Sequence, residues 1–82
     1  MKALVVDDNE DMRTMAEYLL RDHGFNTILQ ASNGKEALKI LEESPFVFSL
    51  LLTDFNMPIM NGKELIEASF QKGIEIEKIV VM

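Results

Sequence analysis

The stretch Leu50-Leu51-Leu52-Thr53-Asp54 constrains this chain more than any other. Its apolar residues run without polar alternation, the pattern of a strand covered on both faces, as in a parallel sheet. The run stops at a carboxylate, and the chain then turns through Asn56-Met57-Pro58 and Asn61-Gly62. A carboxylate directly after a buried strand is costly in the core, so Asp54 is expected at the strand's C-terminal lip. Open α/β sheets place their ligand sites at that lip.

Six further elements, three strands and three helices, complete the pattern. Ala3 to Val6 is a short apolar strand running straight into Asp7-Asp8-Asn9-Glu10-Asp11. Asn9 is a suitable N-cap, and Glu10 and Asp11 suit the positive end of a helix dipole. Met12, Met15, Ala16, Leu19 and Leu20 then recur at helical spacing, and Gly24 is a stop signal, giving a helix over about residues 10–23. Met12 and Met15 are expected in the core, as are Phe46, Phe48 and Phe70. His23, at the far end of the first helix from the acids, reads as compensating the helix dipole. A second strand is expected over 25–30, a helix over 35–43 ended by Ser44-Pro45, and the third strand over 47–53. A third helix over 63–72, with Leu65, Ile66 and Phe70 on one side, precedes a fourth buried-type strand at 79–82. Alternation of β and α elements calls for a mostly parallel sheet.

Composition removes several classes of function. With 82 residues the chain has room for one small domain, and an apolar content of 48% excludes disorder. No apolar run is long enough to span a membrane, and the N-terminus meets Asp7 too soon for a signal peptide. The chain has no cysteine, which fits a reducing cytoplasm. A net charge of −6 without any basic cluster argues against direct nucleic-acid binding.

The first and third strands both end in acids. In a doubly wound sheet of order 2-1-3-4 these strands are neighbours flanking the switch point, so Asp7, Asp8 and Asp54 converge on one cleft. Three uncompensated carboxylates repel unless a cation joins them. Oxygen ligands that are few and leave room for water favour Mg²⁺ over Ca²⁺. Such a cleft can bind a phosphoryl donor and present one carboxylate as nucleophile, with an aspartyl phosphate as product. Plainer readings stand beside this one: the acidic run is also a capped helix start, and Asp54 alone is a turn former. An EF-hand loop beginning at Asp7 fails, because Met12 stands at the glycine position and Tyr18 at the terminal glutamate.

Val5-Val6-Asp7-Asp8-Asn9, Leu52-Thr53-Asp54-Phe55-Asn56-Met57-Pro58-Ile59-Met60-Asn61-Gly62 and Lys78-Ile79-Val80-Val81-Met82 resemble the receiver domain of two-component response regulators. Asn33-Gly34-Lys35-Glu36-Ala37-Leu38 agrees as well. The resemblance covers residues 1–82 in order and implies a flavodoxin-like (CheY-like) sheet of order 2-1-3-4. It further implies that Asp54 is the phosphoacceptor and that Asp8, Asp54 and the backbone carbonyl of Asn56 hold Mg²⁺. Asp7 would add charge and a water-mediated metal contact, while Pro58 and Gly62 shape the loop. The implied donor is a histidine kinase or phosphotransfer protein, and the module is not an enzyme beyond catalysing its own phosphorylation.

The resemblance covers only the N-terminal part of such a domain. The chain stops one residue short of the expected Thr or Ser, and the fifth strand with its lysine and the last two helices have no counterpart. Weak phosphorylation is therefore expected. So is a homodimer, through pairing of the bare fourth strand or exchange of elements, and a binding module without competent switching is the alternative function.

Overall fold

Four parallel strands form one sheet, ordered across it as the second, first, third and fourth strands of the chain. The strands are β1 (Lys2–Val6), β2 (Thr27–Ala31), β3 (Leu50–Thr53) and β4 (Ile79–Val81), and the helices are α1 (Glu10–Asp22), α2 (Gly34–Glu43) and α3 (Gly62–Gln71). The computed structural model describes all 82 residues. Elements alternate along the chain, and the order is the one the sequence implies.

The strands split their side chains between two cores, as a period of two requires. Leu4, Val6 and Leu51 face α2 and α3, where they meet Ala37, Leu38, Leu41, Phe48 and Leu65. Ala3, Val5 and Leu50 face the other way with Ile28, and Ala16, Leu20, Phe25 and Leu52 pack around them. Each helix starts at an asparagine in extended conformation: Asn9, Asn33 and Asn61 each accept an amide N–H of the first turn. Asn61 and Glu64 complete a reciprocal capping box, so the Asn61-Gly62 pair begins α3 rather than making a free turn. Gly24 and Gly73 stop α1 and α3 at φ +92 and +69, values a residue with a β-carbon rarely adopts.

Four expectations need correction. Met12 and Met15 are not core: they are 45% and 59% exposed, and α1 buries no residue at all. The reason is coverage. One helix about 10 Å wide roughly spans two strands spaced 4.8 Å apart, and α1 packs on β1 and β2. Its Met12 and Leu19 thus rim an open apolar groove of about 460 Å³ floored by Leu52 and bordered by Met82. Phe70 is 83% exposed, because α3 turns Gly62, Leu65 and Ser69 inward and Phe70 lies a further 100° around the helix. The fourth strand is an edge strand with every residue exposed, not a buried one. The third begins at Leu50, although Phe48 makes an isolated parallel bridge to Ile76.

Candidate functional site

Strand register brings the acids together. Val6 of β1 stands opposite Thr53 of β3, so the next residues, Asp7 and Asp54, leave the sheet side by side. Both are fixed at their amides: Asp54 N–H donates to the Val6 carbonyl at 2.8 Å, and Asp7 N–H to the Ala31 carbonyl at 3.1 Å. Asp7 is buried, Asp54 is half-buried and Asp8 is exposed. One carboxylate oxygen from each of the three lies within 4.8 Å of the others. The ion pairs of the chain, Arg21–Glu17 and Lys72–Glu42, lie elsewhere. The cleft is therefore a set of hard oxygen donors open to water on one side, a donor set that fits Mg²⁺.

The loop after Asp54 is held at both ends. Gly62 N–H donates to the Phe55 carbonyl at 2.9 Å, and Gly34 N–H at the start of α2 donates to the Met60 carbonyl at 3.0 Å. Both glycines are required by close approach: a β-carbon would stand 2.5 Å from the Asp54 carbonyl oxygen at Gly62 and 2.6 Å from the Met60 carbonyl oxygen at Gly34. Between the two clamps, Met60 N–H donates to the Pro58 carbonyl at 2.7 Å, closing a γ-turn on Ile59 at φ +71. Asn56 sits exposed at the start of this loop, two residues beyond Asp54. The Thr53 hydroxyl, fully buried, is satisfied by the Asp54 carbonyl at 2.9 Å.

The model that describes response regulator receiver domains matches residues 3–82. The chain belongs to that family. The receiver chain is 45% identical over 67 residues to the chemotaxis protein CheY-3 of Vibrio cholerae, an alignment covering 82% of this chain and 50% of that protein. It is 46% identical over 68 residues to the chemotaxis protein CheY of Pseudomonas aeruginosa, covering 83% and 53%. The chain thus spans about half the length of the curated relatives it matches. Among solved structures, the chemotaxis protein CheY4 of Vibrio cholerae superposes with a TM-score of 0.82 at 32% identity, covering 98% of this chain and 65% of that one. No helix of the receiver chain is long and apolar enough to cross a membrane.

Asp7, Asp8 and Asp54 share the receiver cleft, whereas His23 is remote, its Nδ1 2.9 Å from the Leu19 carbonyl at the end of α1. Arg13 is the residue that sequence reasoning missed. Its Nη1 donates to the Asp7 carbonyl at 2.7 Å and its Nε to Gln30 Oε1 at 3.1 Å. The signal was its place one turn after the Asn9 cap, since long helical side chains point back toward the helix N-terminus.

Proposed function

We propose that this chain is the phosphoacceptor module of a two-component phosphorelay. A histidine kinase or phosphotransfer protein is the donor, Asp54 is the acceptor, and Asp7, Asp8, Asp54 and the Asn56 carbonyl are the Mg²⁺ site. The observation that carries this reading is the meeting of three carboxylates within 4.8 Å at the ends of two adjacent strands. When bound, Mg²⁺ would supply positive charge to the phosphoryl oxygens and the crowded carboxylates. An Asp54 oxygen attacks phosphorus, forming the O–P bond as the P–N bond to the donor histidine breaks. The imidazole nitrogen keeps the electron pair and takes up a proton. Asp54 is suited to attack because it is half-buried, fixed at its amide and followed by a loop clamped at both ends. The reaction is a stoichiometric self-modification rather than turnover of a released substrate, and it belongs in the cytoplasm. Incubation with acetyl phosphate and Mg²⁺, read by intact mass and peptide mapping, tests the assignment. A slow phosphoryl adduct on Asp54 is expected, and an adduct elsewhere that survives Asp54→Asn contradicts it.

A second reading, self-association, is favoured by β4. Ile79, Val80 and Val81 are 38%, 36% and 45% exposed in the 82-residue chain, beside the apolar groove under α1. An edge of this kind is a pairing template, so two copies would join β4 to β4 or exchange elements. Met82 N–H already donates to the Thr53 carbonyl, so by alternation the Val81 N–H faces outward. Sedimentation equilibrium should show a dimer that Val81→Pro weakens. A monomer with protected β4 amides contradicts this reading.

A further inference from the structure

A polar network joins α1 to the sheet edge beside its apolar contacts, and it converges on one peptide group. Arg13 Nη1 donates to the carbonyl of Asp7, which belongs to the peptide joining Asp7 to Asp8. Arg13 Nε donates to Gln30 Oε1 on β2, and Gln30 Nε2 donates to Glu17 Oε1 at 2.7 Å one turn further along α1. Gln30 is itself fixed in register opposite Val5. Two further polar groups of Asp7 are engaged, its amide on the Ala31 carbonyl and its Oδ1 by the Asn9 amide at 2.9 Å. The Asp7–Asp8 peptide is thus tied to β2 through a planar guanidinium whose two partners lie on different elements. A lysine cannot reproduce that fork.

We propose that Arg13 is a positioning residue for the acid cleft, holding the Asp7–Asp8 peptide so that the exposed Asp8 carboxylate stays beside Asp54. This rests on the reading of the cleft as a Mg²⁺ site. Arg13 touches neither a carboxylate of the cleft nor the reacting atoms; it acts through the backbone carbonyl of Asp7.

Two effects of removing Arg13 have opposite signs, which makes the role measurable. A cation next to a cation site opposes metal binding, so deleting its charge alone would tighten Mg²⁺ binding. Loss of positioning weakens it, and changing groups that orient ligands commonly costs at least about 10-fold in metal affinity. A purely structural role would lower stability and leave the affinity of the folded chain unchanged.

Mg²⁺ titrations followed by amide chemical shifts of the full 82-residue chain distinguish these cases. Arg13→Met is expected to weaken binding roughly 10-fold, with faster hydrogen exchange at the Asp8 and Asn9 amides. Arg13→Lys should restore less than half of that loss. Unchanged or tighter binding in folded Arg13→Met overturns the proposal. Should Arg13→Met fail to fold, Gln30→Met decides, since it keeps the arginine but removes its anchor: a 2- to 3-fold loss, about a third of the arginine effect, is expected, and no loss overturns the role. A wild-type chain without saturable Mg²⁺ shifts overturns the metal reading and the Arg13 role with it, whereas intact wild-type binding with no variant effect overturns the Arg13 role alone.

Discussion

Gly62 lies so close under Asp54 that a β-carbon built on it would stand 2.5 Å from the Asp54 carbonyl oxygen and 3.1 Å from the Cα of Phe55. Both obstructing atoms are backbone, so neither a rotamer change nor a bent side chain relieves the clash. The first turn of α3 and the C-terminal end of β3 are in this way one packed unit. Gly62→Ala should cost about 1–3 kcal/mol, the range for overpacking a tight site, and shift the amides of Asp54 and Phe55. Chemical denaturation and amide spectra check this; a neutral substitution contradicts the packing described.

Ile59 makes the opposite prediction. Its backbone is left-handed at φ +71 and its side chain is 75% exposed, so a β-branched residue carries strain there without compensating burial. Ile59→Asn should stabilise the chain by about 1 kcal/mol, since asparagine tolerates that conformation. The midpoint of urea unfolding reads the result.

Leu65 and Phe70 separate the two faces of α3. Leu65 is fully buried and Phe70 is 83% exposed. Leu65→Ala should cost about 3 kcal/mol by loss of burial and creation of a cavity, whereas Phe70→Ser should change stability by about 0.5 kcal/mol or less. Comparable losses from both would place Phe70 in a contact the fold lacks.

The carboxyl of Glu17 is held below its ordinary value, chiefly by the hydrogen bond from Gln30, which outweighs the opposing effect of burial, with the hydrogen bond and charge of Arg21 adding to the lowering. A folded-state value below the unfolded one adds stability that is present above the ordinary carboxylate range. That stability is lost as pH falls through the folded value. Thermal unfolding from pH 7 down to about pH 3 should therefore show a shallower acid limb in Glu17→Gln than in the parent chain. An identical limb would mean the Gln30 bond does not discriminate the charged form.

Much of the cleft was legible because strand ends are punctuated in the sequence. Apolar runs stop at Asp7 and Asp54, and parallel register then does the rest by setting Val6 opposite Thr53. The start of α1 was legible for the same reason, marked by its Asn9 cap, whereas Asn61, expected in a turn, proves to cap α3. Burial was less legible. The spacing of Met12, Met15 and Leu19 defines an apolar face but not which element covers it, and α1 covers only part of the sheet. Phe70 was misplaced because hydrophobicity outweighed phase: a buried Ser69, bonded to the Leu65 carbonyl, sits where an apolar residue was expected. Arg13 was invisible because its partners, a carbonyl and a strand glutamine, are defined only once α1 lies on β2.

That the three acids act as one cation site is tested most directly by a Mg²⁺ titration of isotope-labelled protein. Saturable shifts confined to the amides of residues 7–9 and 53–57 are predicted, and either Asp8→Asn or Asp54→Asn should abolish them. The same shifts persisting in both variants, or saturable shifts centred away from these strand ends, would contradict it.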